Sequence, residues 1–184
     1  LVSAFENIGA PETYEPVFYA SAGWYSPRSG VKERAKNALP LIMDDPTEIL
    51  LEIIRKETDF SGKYLALEAQ NSSLASDGNK VKAAAAGLYE GTRNKASNIN
   101  ENAELSKIRL LSCRIILNSA YKPDEALPFL EEMIFTNYDI NERLTAIETL
   151  GTYTSDEAVT VLNKFLKQQN DRQVAGMTQH IDRS

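Results

Sequence analysis

One internal repetition constrains this chain more than any other feature. Ala4-Phe5-Glu6-Asn7-Ile8-Gly9 and Ala146-Ile147-Glu148-Thr149-Leu150-Gly151 match in side-chain size and order. Past the glycine, Pro11-Glu12-Thr13-Tyr14-Glu15-Pro16-Val17-Phe18 and Ser155-Asp156-Glu157-Ala158-Val159-Thr160-Val161-Leu162 each join an acidic helix start to an apolar stripe. A second element recurs five times: a basic residue, a small residue three positions on, and a small or apolar residue three further. The copies are Lys32, Ala35, Ala38; Lys63, Ala66, Ala69; Arg109, Ser112, Ile115; Arg143, Ala146, Thr149; and Arg172, Ala175, Thr178. Their basic residues lie 31, 46, 34 and 29 apart, the spacing of units built from two helices and two turns, one unit carrying about a dozen extra residues.

Small residues at i and i+3 on one stripe let a neighbouring helix approach closely, while flanking Leu and Ile fill the gaps. A single pair cannot bury its apolar stripe alone, so such units are stable only when stacked. Helix starts are marked at Asp45-Pro46-Thr47-Glu48, Asp139-Ile140-Asn141-Glu142 and Thr154-Ser155-Asp156-Glu157. The pattern predicts helices near 11–23, 30–43, 46–57, 60–73, 79–93, 102–119, 124–136, 140–152, 155–168 and 171–181, with no strand. The 184 residues then form one array, residues 1–184, with its longer unit at about 74–104. Residues 1–8 read as the end of an amphipathic helix, so a piece of a longer chain is expected.

Composition narrows the function classes. The net charge of −6 disfavours phosphate backbones and anionic membranes. Cys113 is the only cysteine, which excludes an internal disulfide and a multi-thiolate zinc site; His180 is the only histidine. No apolar run approaches the roughly 18 residues that span a bilayer, and no signal peptide opens the chain.

The stretches from Val31-Lys32 to Leu39 and from Arg143 to Gly151, with the Asp156-Glu157-Ala158-Val159 step, resemble HEAT repeats, in particular the bacterial phycobilisome-lyase-like subtype. The Trp-x-x-Leu-Gly-x-x-Tyr signature of tetratricopeptide repeats is missing. The resemblance implies an all-α fold, an α-solenoid of antiparallel helix pairs whose second helices line a concave binding face. It does not carry lyase activity with it.

Asp59 with Lys63 and Asp139 with Arg143, at i and i+4, read as a structural charge ladder. The acidic pairs Asp44-Asp45, Asp124-Glu125, Glu131-Glu132 and Asp156-Glu157 mostly open helices, where carboxylates meet the positive helix end. Cys113 reads as a buried small hydrophobe and His180 as a surface residue. Tyr14, Phe18, Tyr19, Trp24 and Tyr25 are either core or interface. Residues 80–114 hold seven basic against three acidic side chains, a net of +4 that leaves about −10 elsewhere. This stretch also has loops at 72–79 and 93–98 around a helix whose residues 83–87 form a small-residue surface.

These features predict a non-catalytic scaffold for a protein or peptide partner, with no catalytic residue, metal or cofactor and no nucleic acid. Partner-contacting positions expected between the buried small ones are Lys36, Asn37, Tyr64, Glu68, Lys107, Arg114, Thr145 and Glu148. Two other readings stay open: a HEAT-like DNA glycosylase or chromophore lyase, and a structural spacer in a larger protein.

Overall fold

The computed structural model describes residues 10–23, 28–136 and 139–181, with the side chains of Ser29 and of 174–181 excepted. The expected helix at 1–8, and the side chains of Trp24, Tyr25, Ala175, Thr178 and His180, lie outside what is described. Among the described residues all regular structure is helical. Nine α-helices run in order: α1 Tyr14–Ala22, α2 Ser29–Ile42, α3 Thr47–Lys56, α4 Phe60–Ser72, α5 Asp77–Arg93, α6 Ile99–Asn118, α7 Leu127–Phe135, α8 Ile140–Leu150 and α9 Asp156–Ile181. Short 3-10 turns precede α1 at Pro11–Thr13 and α7 at Asp124–Ala126.

Side chains satisfy the backbone donors left open at the helix starts. Asp59 accepts from the Ser61 amide at 3.1 Å, Asn98 from Glu101 at 2.9 Å and Asp139 from Asn141 at 2.8 Å. Glu101 in turn accepts from the Ser97 amide. Gly23 ends α1 in the left-handed region at φ +86°, the conformation that a side chain would oppose.

Two expectations are corrected. The helices expected at 155–168 and 171–181 are one continuous helix, α9. The stretch from Lys167 to Gln173 is polar but contains no glycine or proline, so nothing in it breaks the backbone. The long spacing between Lys63 and Arg109 is taken up mainly in helix, because α5 spans 17 residues and α6 spans 20, against 9 for α7 and 11 for α8. The alanine run at 83–86 favours that extension.

Neighbouring helices pair: α1 with α2, α3 with α4, α5 with α6, α7 with α8. Odd-numbered helices from α3 onward also touch the next odd one, and even-numbered helices from α4 onward the next even one. Five of the bonds between successive helix pairs join residues 32 to 34 apart, Lys36–Glu68, Asp45–Asn79, Glu48–Lys82, Arg109–Glu142 and Glu131–Lys164, while Lys63–Glu90 and Arg93–Glu132 span 27 and 39. Ala35, Ala38, Ala66, Ser112, Ala146 and Thr149 are all buried at the close approaches. Tyr14 and Phe18 are core, while Tyr19 is half-buried with its ring against Phe18 at 5.5 Å.

In three of the five stripes the basic residue does something other than the expected i, i+4 ladder. Asp59 and Asp139 cap their own helices, and the cations turn inward. Lys63, 3% exposed, donates to the Ile54 carbonyl on α3 at 2.6 Å and to Glu90 on α5 at 2.8 Å. Arg109, also 3% exposed, donates to the Gly91 carbonyl on α5 at 2.9 Å and grips both carboxylate oxygens of Glu142 on α8. Arg143 donates to the carbonyl of Thr136, just past α7, at 2.9 Å. Each cation thus meets carbonyls at the C-terminal end of the preceding odd helix, where the helix dipole favours positive charge. A side chain projecting into the hairpin cannot also lie along its own helix toward position i−4. Arg172 departs from this pattern: it is exposed on α9, which continues through the expected helix start.

Close approach depends on Gly87, where a Cβ would stand 2.5 Å from Ser112 Oγ on α6 and 2.7 Å from Leu67 Cδ1 on α4. Gly87→Val is therefore expected to lower stability by about 1–3 kcal/mol through overpacking. Gly78→Ala, whose Cβ meets only Ser76 Oγ at 4.0 Å, is expected to be neutral or stabilising by up to about 1 kcal/mol. Urea unfolding of the two variants checks the pair, and equal effects would contradict the packing.

Candidate functional site

The small residues that let α5 pack also lower its outer surface. Ala83, Ala84 and Gly87 point into neighbouring helices, while Ala85 and Ala86 stay partly exposed, Ala86 with one side against the core. Taller side chains rise on both sides, and the result is a cleft of about 960 Å³ on the odd-helix row. Its floor is Gly78, Ala85 and Ala86. One wall is Arg55 from α3 with Lys82 from α5; the other is Tyr121, Pro123 and Glu125 from the segment before α7, with Phe129 from α7. Tyr89 and Glu90 complete the lining.

The aromatic wall is braced. Tyr89 meets Phe129 edge-on at 5.5 Å, and Arg93 covers the Phe129 ring at 5.3 Å while pairing with Glu132 at 3.1 Å. Lys122 donates to the Ile116 carbonyl at 2.8 Å and the Ser119 carbonyl at 2.7 Å, closing the end of α6. Burial lowers its pKa. The Tyr153 hydroxyl, buried below the same segment, donates to the Pro123 carbonyl at 2.9 Å. Burial raises the Tyr153 pKa, and Asp124 and Glu125 add to that effect. Tyr89 and Tyr121 remain 51% and 55% exposed.

The charges in the cleft differ in how far they are committed. Lys82 pairs with Glu48 at 2.8 Å. Glu90 accepts from buried Lys63 and from Asn94. Arg55 and Glu125 are exposed and form no ion pair with a described residue.

The positions expected from the sequence all lie on even-numbered helices, and none is fully buried. The structure joins Lys36 to Glu68 at 3.6 Å and places the Lys107 ammonium 6.0 Å from the Tyr64 ring centre. Lys107 also pairs with Glu104 at 2.7 Å, a hydrogen bond that raises its pKa. Asn37, Arg114 and Glu148 are exposed, and Thr145 donates to its own helix at the Asn141 carbonyl. Of the small-residue surface expected at 83–87, Ala85 and Ala86 line the cleft, while Ala83, Ala84 and Gly87 are buried against neighbouring helices, and the cleft's walls had no sequence signal. Tyr89, Tyr121 and Phe129 follow no linear motif and meet only through the packing of α5 on α7.

Elsewhere the chemistry is quiet. Among the described residues no three His, Cys, Asp or Glu side chains gather as a metal site, and no helix is long and apolar enough to cross a membrane. Cys113 is fully buried, and burial pushes its thiol up to about 12. In comparisons with known proteins, no family model, curated protein or solved structure matches this chain.

Removing the phenolic hydroxyl in Tyr153→Phe is expected to cost about 1 kcal/mol of stability and to accelerate amide exchange across residues 119–126, leaving α3 and α4 unchanged. Wild-type exchange rates in that segment would contradict the bracing role of Tyr153.

Proposed function

We propose that this chain is a HEAT-like α-solenoid acting as a non-catalytic scaffold, and that it holds a protein or peptide partner in the cleft over α5. The two rows of touching helices, and five bonds that join residues 32 to 34 apart, support the solenoid reading. The observation that carries the binding reading is the cleft itself: an alanine floor beside exposed Tyr89 and Tyr121 and a half-buried Phe129 ring held by Tyr89 and Arg93. Aromatic side chains and arginine are the residue types that anchor interfaces, and a wall already held in place loses little freedom when a partner docks. The even-helix surface supports binding less well, since Lys36, Glu68 and Lys107 already pair with residues of this chain.

Two variants separate the surfaces once a partner has been purified on the wild-type chain. Ala86→Trp fills the cleft from its partly buried floor and is expected to weaken binding at least about tenfold, or roughly 1.4 kcal/mol. Lys107→Glu with Arg114→Glu reverses charge on the even row and is expected to leave affinity within about twofold, or some 0.4 kcal/mol. The opposite result would move the site to the even-helix face. Melting curves close to wild type in both variants show that each still folds.

A further inference from the structure

Arg55 and Glu125, the cleft's two charges that form no ion pair with a described residue, lie on opposite sides of α5. Arg55 stands on α3, and Glu125 stands in the turn that leads into α7. Between them the surface is apolar, formed by Ala85, Ala86, Tyr121 and Phe129. Two helix-to-helix steps of 8–10 Å each make the crossing from α3 to α7 roughly 16–20 Å. At about 3.3 Å per residue, five or six residues of extended chain cover that distance.

A partner lying there desolvates both charges, and that burial costs free energy unless each is matched. A uniformly acidic segment would satisfy Arg55 but be repelled by Glu125; a uniformly basic one would do the reverse. An uncharged apolar ligand would leave both unmatched. Lys82 and Glu90 do not tip this balance, because each is already neutralised within the chain.

Resting on the reading that the cleft is the binding site, we propose that its occupant is an extended segment of another protein, about six residues long, with apolar or aromatic side chains between an acidic end and a basic end. The acidic end lies against Arg55 and the basic end against Glu125. Chain direction is not fixed by this arrangement, since either polarity can present the two charges to their partners. The net charge of −6 attracts basic peptides generally, so a preference for mixed ends runs against the background field and is diagnostic.

The test uses the 184-residue chain and fluorescein-labelled peptides sharing a Phe-Phe centre. Four sets carry two acidic residues at both ends, two basic residues at both ends, acid at one end and base at the other, or serine at both ends. Fluorescence anisotropy is expected to show the mixed set binding at least about tenfold tighter than the others, a margin of roughly 1.4 kcal/mol. Arg55→Glu is expected to move the preference to the doubly basic set, and Glu125→Lys to the doubly acidic set; Ala86→Trp should abolish all binding. If peptides bind and Ala86→Trp removes them, but at most one reversal moves the preference, the charge assignment is wrong and the cleft reading stands. If no set binds, or if Ala86→Trp leaves binding intact, both fall together.

Discussion

The arrangement of this chain depends on a cation buried at the junction between units. Arg109, on α6, reaches back to the Gly91 carbonyl at the end of α5 and forward to the carboxylate of Glu142 on α8. One side chain thereby fixes the pairing within its own hairpin and the register to the next. Lys63 performs the same double task one unit earlier, through the Ile54 carbonyl and Glu90. Taking such charges out of water is costly, and their net contribution to stability against an apolar replacement is small. Their value lies in register: apolar stripes can slide by a turn, whereas a guanidinium that must meet one carboxylate and one carbonyl cannot do so without leaving a buried charge unpaired.

The same constraint shapes the surface. For Arg109 to reach the Gly91 carbonyl, its stem must pass where a Cβ on Gly91 would lie, 2.8 Å from Arg109 Cγ. For α4 and α6 to close on α5, position 87 must also lack a side chain. A helix built from Ala and Gly on its inner side here carries alanine on its partly exposed side as well, at Ala85 and Ala86. The floor of the cleft thus continues the small-residue run that the core requires, and the aromatic wall stands tall only by comparison. Tyr153, at the end of α8, steadies that wall through Pro123, so the junction with the next unit also sets the geometry of the site.

The helices and their buried small residues were legible in the sequence because both depend on local spacing. The cap at Asp139, and stripes such as Ala35 with Ala38, are written within a turn or two of chain, whereas Asp59, by its spacing to Lys63, reads in the sequence as half of a charge pair rather than as a cap. The partners of the basic residues were not legible. Asp59 and Asp139 stand at the right sequence distance from Lys63 and Arg143, but burial sends both cations across the hairpin instead. The extra helix expected at 171–181 failed for a similar reason: Arg172 repeats the motif, yet nothing before it stops α9. At the candidate site, the run at 83–87 announced a low surface. Tyr89, Tyr121 and Phe129 are brought together by tertiary packing alone, so no local pattern could name them.

A double-mutant cycle on Arg109 and Glu142 tests the central role of the junction most directly. Arg109→Met and Glu142→Met are each expected to cost about 3–5 kcal/mol, because each leaves the other charge buried and unpaired. Replacing both should restore much of that loss, giving a coupling energy of at least about 2 kcal/mol by urea unfolding with unchanged slopes. Losses that add to within about 0.5 kcal/mol would show that the two residues act independently and that the junction does not hold the units in register.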